Sequence, residues 1–244
     1  LAGTTEATAF ARAAADRGLD GIVSFAGRVE RPLRQPLPQR VVGFGGVAGL
    51  AAYLRAEGIT HVIDATHPFA MQMSRNAVAA CAEAGVPLVA LTRPPWEPVT
   101  GDAWITVPDI AGAVAALDRP ACRVMLAVGR MHLQDFAPNP QHVYLLRLVD
   151  PPKGALPFPR AEVIVDRGPF DTEADRKLME EHGIDIVVSK NAGGSGAYAK
   201  IAAARALGLP VIMIERPKAP PRDELHDVGA VFDWLSHCGT DLGV

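Results

Sequence analysis

The chain contains an internal repeat. The segment from Thr66 to Pro94 and the segment from Ser189 to Pro217 can be superimposed without a gap. In both copies an apolar, strand-like run leads into polar residues, a helix-length run follows, and a second apolar run ends in Arg-Pro. Each half of the chain therefore carries a strand, a loop, a helix and a strand in the same order. Because open parallel sheets bind ligands at the carboxyl ends of their strands, the repeat predicts that the reactive groups lie where these strands end.

Apolar, strand-like runs alternate with Ala-rich, helix-length segments along the chain. This alternation is typical of strand-helix-strand units around a parallel sheet. The predicted fold class is α/β, with two Rossmann-like domains whose parallel sheets are flanked by helices and a ligand cleft between the domains. Three prolines between residues 94 and 98 interrupt the pattern, and we place the boundary there, giving domains 1–95 and 96–244. The predicted helices span residues 4–17, 47–57, 69–84, 109–118, 131–137, 172–182, 196–207 and 223–238.

Net charge, apolar run length and cysteine spacing indicate which partners and which location to expect. A net charge of -3 gives no reason to expect a nucleic-acid partner, and no apolar run approaches the roughly 20 residues that span a bilayer. The three cysteines lack metal-ligand or redox spacing, which favours a reducing, cytoplasmic location. The sequence is compatible with a monomer. The chain opens at Leu1 without a basic and apolar leader, and the pattern predicts that a first strand precedes it.

The segment from Gly3 to Ala7 is the first candidate binding motif. It would be the turn from that first strand into the first helix, where backbone N–H groups and the helix dipole suit a pyrophosphate and glycine allows close approach. Thr4 and Thr5 could add hydroxyl donors beside Glu6. An ordinary helix cap fits the same residues equally well, since Thr is a good N-cap and Glu is favoured in a first turn.

The end of the next strand indicates which nucleotide would bind. An NAD-binding fold usually places an acid there against the ribose hydroxyl. This chain has Ser24, Gly27 and Arg28 instead. A hydroxyl and a guanidinium favour the 2′-phosphate of NADP, because Arg offers a planar fork of donors. The alternative is that Arg28 is ordinary solvated loop charge.

Several other predicted strands end in cationic or glycine-rich segments. Arg130, Arg167 and Lys190 would share one edge of a parallel sheet, and they would make it cationic in a chain that is acidic overall. A ligand with several carboxylates or phosphates needs such an edge. Taken singly, each cation is more simply a solvated strand end. The glycine-rich segment after Lys190 would let backbone approach the ligand, and it includes Gly193, Gly194 and Ser195.

Other chemistries have weaker support. His61, His67 and Asp64 lack the spacing of a metal site, and we expect no metal. The glycine-rich segment from Gly193 to Lys200 lacks the Gly-Lys-Ser/Thr ending of a P-loop. Ser195 lacks the surrounding Gly-x-Ser-x-Gly motif of a hydrolase nucleophile.

Together these motifs resemble those of the precorrin-6A reductase family of cobalamin biosynthesis, over residues 1 to about 217. The motifs that carry the resemblance are Gly3-Thr-Thr-Glu-Ala7, Asp64-Ala-Thr-His-Pro-Phe-Ala70, Gly129-Arg130, Arg167-Gly-Pro-Phe170, Ser189-Lys-Asn-Ala-Gly-Gly194 and Gly208-Leu-Pro210 with Arg216-Pro217. The resemblance implies NADPH-dependent reduction of one double bond of precorrin-6A, a tetrapyrrole-derived ring with many carboxylates, to precorrin-6B.

The resemblance and the motifs give each candidate residue a role. The first domain would bind NADPH and the second the tetrapyrrole. His67, Lys190 or a bound water would deliver the proton, and the sequence does not choose among them. A reductase of another polycarboxylate and a non-catalytic dinucleotide sensor remain alternatives. The cofactor-binding candidates are Gly3, Thr4, Thr5, Glu6, Ser24, Gly27, Arg28, Asp64 and Thr66; the substrate-binding candidates are Arg130, Arg167, Lys190, Gly193, Gly194 and Ser195.

Overall fold

A computed structural model describes residues 1–25, 34–152, 154–166 and 170–238. The chain folds into two compact units, one formed by Leu1–Pro94 with Lys218–Val244 and the other by Pro95–Pro217. The sequence-based division grouped residues 96–244 together. The structure instead returns residues from 218 onward to the first unit, because a strand and a helix of this segment pack there.

The first unit alternates short strands and helices. Its strands are β1 (Val23–Phe25), β2 (Gln39–Val41), β3 (Val62–Asp64), β4 (Leu88–Leu91) and β11 (Asp223–Leu225). Its helices are α1 (Thr5–Asp16), α2 (Gly46–Ala56), α3 (Met71–Ala84) and α7 (Val228–Cys238). β1 pairs with β2, and β4 lies between β3 and β11, with every pairing parallel.

Leu1 and Ala2 connect these two groups of strands. The Leu1 amino group donates to the Ile63 carbonyl at 2.8 Å, and the Leu1 carbonyl accepts from Ala65 N at 3.0 Å. On the other side, Ala2 N donates to the Ser24 carbonyl at 2.9 Å. These two residues therefore take the position of a strand between β1 and β3. A cavity of about 580 Å³ lies beside them, lined mainly by apolar side chains of α1, α2, β1 and β3.

The second unit is built on one six-stranded sheet, which is parallel throughout. Its strands are β5 (Ala103–Val107), β6 (Arg123–Ala127), β7 (Val143–Leu148), β8 (Ala161–Val165), β9 (Ile186–Lys190) and β10 (Pro210–Ile214), in the spatial order β5-β10-β9-β6-β7-β8. Its helices are α4 (Ile110–Ala116), α5 (Thr172–Glu181) and α6 (Ala199–Ala206). The predicted α/β class with parallel sheets and flanking helices is confirmed.

The core of the second unit explains why its central strands are uniformly apolar. Strands covered on both faces lose the alternation of apolar and polar residues. Val187 on β9, Met213 on β10 and Ile201 on α6 are at most 1 % exposed and belong to one apolar cluster. The indole of Trp96 joins that cluster from outside the regular elements.

The repeat predicted from the sequence is present in both units. β3, α3 and β4 form the first copy, and β9, α6 and β10 form the second. In each copy the two strands are parallel neighbours. The helix and strand that follow the polar loop therefore have the same arrangement in both units.

Sequence reasoning missed two strands. β5 was not predicted, and β11 was taken as the beginning of the last helix, which starts only at Val228. Both strands lie at a sheet edge and pair with one neighbour each. The short segment 223–225 is Asp-Glu-Leu, whose composition disfavours strand, so its conformation follows from pairing with β4. Two short 3₁₀ turns replace the helix predicted at 131–137.

Within the part of the chain that the structure describes, no helix combines the length and apolar character needed to cross a bilayer.

Candidate active site

The second unit has a topological switch point between β6 and β9. The chain leaves β6 toward β7 and β8 on one side, and it leaves β9 toward β10 on the other. Open α/β sheets bind ligands in the crevice outside the carboxyl ends of such a strand pair. Ala127 of β6 lies opposite Ser189 of β9, so the segments after these two residues share that crevice.

Two predicted cations lie at this switch point. Lys190 ends β9 and Arg130 follows the end of β6, and both are half-buried. Gly129, directly before Arg130, has φ of 81°, a backbone conformation that would be strained for a residue with a side chain. Arg130 and Lys190 thus stand at the carboxyl ends of two adjacent parallel strands, at the edge where such a crevice forms. Arg167, the third predicted cation, lies outside the described residues, beyond Asp166 at the end of β8.

The predicted glycine segment forms a tight loop after β9. Gly193 and Gly194 have φ of 68° and 65°, so both are in the left-handed region. Gly193 is buried, Gly194 is half-buried and Ser195 is exposed. Three residues that the sequence analysis did not assign, Trp96, Asn191 and Arg216, hydrogen-bond to or within this loop.

The first unit has the equivalent switch point. From Leu1 and Ala2 the chain passes through α1 to β1 and β2 on one side, whereas β3 leads through α3 to β4 on the other. The predicted nucleotide turn and the segment after β3 consequently meet. The Thr4 hydroxyl donates to the Ala65 carbonyl at 2.9 Å and joins them directly.

The beginning of α1 combines a helix cap with an open approach. Thr4 is the N-cap, and its hydroxyl accepts from Ala7 N at 3.2 Å, so that hydroxyl is engaged on both sides. Gly3 is exposed with φ of 150°, and nothing lies within 4 Å of where its Cβ would be. The geometry of a helix leaves the N–H groups of Thr5 and Glu6 without intrahelical acceptors. These features fit a pyrophosphate, with the backbone rather than the Thr4 hydroxyl as donor.

Glu6 would place a negative charge beside such a phosphate, and Arg93 offsets it. The Arg93 guanidinium lies 2.7 Å from the Glu6 carboxylate, with side chains 12 % and 22 % exposed. The exposed Thr5 hydroxyl also donates to Glu6. Arg93 belongs to the Arg-Pro ending of the first repeat, which the sequence analysis did not connect to this turn.

Ser24 is buried, and its hydroxyl has no hydrogen-bond partner among the residues that the structure describes. It lines the cavity beside Leu1 and Ala2. An orphaned buried hydroxyl on β1, one residue before the strand ends, is compatible with a ligand partner there. Gly27 and Arg28, the other predicted contacts to the ribose phosphate, lie outside the described residues.

Asp64 is the centre of a buried polar network at the end of β3. Its carboxylate is 2 % exposed and accepts from the Thr66 hydroxyl at 2.7 Å, the Ser74 hydroxyl at 2.7 Å and Thr66 N at 3.2 Å. The Arg222 guanidinium, whose side chain is 7 % exposed, pairs with the same carboxylate at 2.5 Å. Asp64 and Thr66 thus fix the loop after β3. Arg222 comes from the returning segment, and no local sequence signal indicated it.

His67 lies in that loop with a defined ring orientation. Phe69 N donates to His67 Nδ1 at 3.2 Å, and Ala70 N donates to the His67 carbonyl at 2.7 Å. Because Nδ1 accepts a hydrogen bond, the neutral ring carries its proton on Nε2. The half-buried neutral imidazole therefore presents an N–H donor at Nε2.

Among the described residues, no group of three or more His, Cys, Asp or Glu side chains is arranged to hold a metal ion.

Comparison with known proteins gives consistent results. A family model described as "Precorrin-6x reductase CbiJ/CobK" matches residues 1–236. A precorrin-6A reductase of Rhodobacter capsulatus is 56 % identical over 100 % of this chain and 98 % of its own length. One from Rhodococcus erythropolis is 44 % identical over 96 % and 95 %. A cobalt-precorrin-6A reductase of Priestia megaterium is 30 % identical over 97 % and 95 %. A solved structure named "CobK precorrin-6A reductase" superimposes with a TM-score of 0.95 and 56 % identity, covering 100 % of this chain and 97 % of that one.

Proposed function

Because this chain belongs to the precorrin-6x reductase family, a family of cobalamin biosynthesis, we propose that it reduces one double bond of precorrin-6A with NADPH to give precorrin-6B. The observation that carries this proposal is the pair of switch points. One has a helix start suited to the pyrophosphate of NADPH, and the other has cations suited to the carboxylates of the macrocycle. The more similar relatives are named for the metal-free substrate, which favours precorrin-6A over its cobalt complex.

The first unit is proposed to bind the cofactor. NADPH supplies the hydride when bound. Gly3 lets the backbone approach the pyrophosphate, and the N–H groups of Thr5 and Glu6 donate to it at the positive end of α1. Arg28 is proposed to bind the 2′-phosphate, with Gly27 and Ser24 beside it. Asp64 and Thr66 contribute by holding the loop after β3 rather than by offering the buried carboxylate as a ligand.

The second unit is proposed to bind the macrocycle. Arg130 and Lys190 at the switch point, together with Arg167, are proposed to pair with its acetate and propionate groups. Charge-assisted bonds from a rigid edge orient a polycarboxylate better than cations on long loops do. Gly193, Gly194 and Ser195 would bring backbone donors and one exposed hydroxyl to the same ligand.

The protein's own chemical contribution is to orient the ligands and to supply a proton. Reduction of a carbon–carbon double bond needs a proton on the carbon next to the one that accepts hydride. The candidate donors are His67, Lys190 and a bound water. Phe69 N donates to His67 Nδ1 and so orients the neutral ring; to act as a general acid, His67 would exchange that bond for a proton on Nδ1, whereas the Lys190 ammonium already carries a proton.

The test is turnover by the purified protein. We expect loss of NADPH absorbance only when precorrin-6A is present, much slower turnover with NADH, and little with cobalt-precorrin-6A. NADPH binding without turnover of any precorrin would instead support a dinucleotide sensor. Turnover of an unrelated polycarboxylate at the same efficiency would support the other alternative. Equal use of NADH and NADPH would remove the role proposed for Arg28.

A further inference from the structure

We propose that Trp96, Asn191 and Arg216 are positioning residues that hold the loop from Lys190 to Ser195 in the conformation that binds the macrocycle. This inference rests on the proposed function of that loop.

Asn191 fastens the loop to the backbone of Trp96 at two points. Trp96 N donates to Asn191 Oδ1 at 2.7 Å, and Asn191 Nδ2 donates to the Trp96 carbonyl at 2.9 Å. A primary amide is the side chain that can accept and donate in one plane in this way. Asn191 directly follows Lys190, so this pairing fixes the chain next to a proposed substrate cation.

The Trp96 side chain fixes the other end of the loop. Its indole N–H donates to the Gly194 carbonyl at 2.7 Å. Trp96 as a whole residue is 8 % exposed, and it packs in the apolar cluster that contains Ile201 and Val187. The donor is therefore held by the core of the unit and not by the loop that it bonds.

Arg216 bonds to the middle of the loop. Its Nε donates to the Asn191 carbonyl and its Nη2 to the Ala192 carbonyl, both at 3.0 Å. Arg216 follows the end of β10, the neighbour of β9 in the sheet. A planar guanidinium can span two successive carbonyls, which an ammonium group cannot do with the same geometry.

The loop needs such support because it contains two adjacent glycines with positive φ. Glycine gives access to the left-handed region at no steric cost, but it leaves many other conformations open to an unrestrained loop. Ordering a flexible loop at the moment of binding lowers affinity. Five hydrogen bonds from Trp96, Asn191 and Arg216 set the loop before the ligand arrives.

The decisive variant is Trp96→Phe, which removes the indole N–H and keeps an aromatic ring in the core. We expect the KM for precorrin-6A to rise about 3- to 10-fold, the range for loss of one neutral hydrogen bond. We expect kcat to stay within about twofold and the Kd for NADPH to stay unchanged. The lost hydrogen bond supports only the loop proposed to bind the macrocycle, and NADPH is proposed to bind in the other unit. Arg216→Lys, which keeps the charge but loses the fork, should raise KM in the same way.

Trp104→Phe is the matched control. Trp104 lies on β5 in the same unit, and its indole N–H has no partner among the described residues. This variant should leave the KM for precorrin-6A unchanged. Equal KM values for Trp96→Phe and the unmodified protein, or equal increases in the two Trp variants, would overturn the positioning role.

The controls separate the inference from the proposed function. If the unmodified protein does not reduce precorrin-6A with NADPH, the proposed function fails. If it does, and Trp96→Phe and Arg216→Lys lower only the melting temperature, the positioning role fails alone. Where Trp96→Phe loses its far-ultraviolet circular dichroism, Arg216→Lys decides the question by the same KM measurement.

Discussion

At the residue scale, Arg130 and Lys190 lie at the strand pair where an open parallel sheet has its binding crevice. A lone cation after a strand is usually solvated charge. Two cations that follow adjacent strands at the switch point of one sheet indicate a ligand site more specifically, because the crevice there can enclose part of a ligand.

We predict that Lys190→Met and Arg130→Met each raise the KM for precorrin-6A by about 10- to 100-fold, the effect of losing one charge-assisted hydrogen bond. The Kd for NADPH should not change. Steady-state kinetics and a separate NADPH titration check this. Lys177→Met on α5, whose side chain is 72 % exposed, is the control and should behave like the unmodified protein. Loss of NADPH binding with intact macrocycle binding would show that the two sites are reversed.

Asp64 shows how a predicted ligand residue takes a supporting role. Its carboxylate has four hydrogen-bond partners within the first unit and is almost inaccessible to solvent. The residue matters to the candidate site because it ties Thr66 and Arg222 to the end of β3.

We predict that Asp64→Asn lowers the free energy of unfolding by about 3 kcal/mol, since it leaves the buried Arg222 guanidinium with only the longer, half-exposed pair to Glu224 at 3.3 Å. Loosening of the loop should also weaken NADPH binding. Urea unfolding and an NADPH titration measure the two effects. Asp102→Asn is the control. Asp102 pairs with Arg205 in the second unit, directly before β5 and so at the amino-terminal edge of its sheet, away from the proposed sites. This variant should lower stability without changing NADPH affinity. Unchanged NADPH affinity in Asp64→Asn would contradict the supporting role.

At the scale of elements, the two copies of the repeat use the same Arg-Pro ending for different partners. Arg93 follows β4 and pairs with Glu6 at the beginning of α1. Arg216 follows β10 and donates to backbone carbonyls after β9. In both units an arginine after the carboxyl end of one strand therefore supports a neighbouring segment at the switch point, the first turn of α1 in one unit and the loop after β9 in the other. The arginine binds a carboxylate in the first unit and backbone carbonyls in the second. This difference agrees with the different ligands proposed for the two units.

The start of α1 gives a test at this scale. Thr4→Ala removes the N-cap acceptor and the bond to the Ala65 carbonyl, and we expect it to lower the free energy of unfolding by about 1 to 2 kcal/mol. Thr4→Ser keeps both hydrogen bonds and should cost much less. Chemical denaturation of the two variants measures the difference. Equal losses would show that the Thr4 methyl group, not its hydroxyl, stabilises the helix start.

At the scale of the whole molecule, stability should fall in alkaline solution. Burial raises the pKa of the Cys81 thiol from its ordinary value of 9.0 to about 11, and the side chain is 1 % exposed. Between those values the folded protein keeps the proton, whereas the unfolded chain loses it. The unfolded state therefore binds fewer protons, and the free energy of unfolding decreases as pH rises.

For Cys81 alone, two units of pKa at about 1.4 kcal/mol each give a total decrease of about 3 kcal/mol, of which about 2 kcal/mol falls between pH 9 and 11. Urea unfolding of the unmodified protein and of Cys81→Ala across this range isolates the contribution. Cys81→Ala should be less stable at pH 8 because of the lost side-chain volume, and its stability should fall less steeply above pH 9. Parallel pH profiles would show that the thiol does not ionise on unfolding.

The sequence by itself determined the α/β class, the repeat and the places where polar loops follow apolar strands. These are local or periodic properties: a strand buried on both faces must be apolar, and the change to polar residues marks where it ends. The same logic identified Gly3, Arg130 and Lys190 as candidates, because each stands directly after a predicted strand or before a predicted helix.

Only the tertiary structure decided which residues support those candidates. Arg222 reaches Asp64, and Trp96 and Arg216 reach the loop after β9, across long stretches of chain. Such contacts depend on strand order, and strand order is set by packing and pairing rather than by local residue preference. The edge strand β11 illustrates the reason, since its polar segment becomes a strand only because β4 offers an unpaired edge. The sequence specified where a ligand could bind, and the fold specified what holds the binding loops in place.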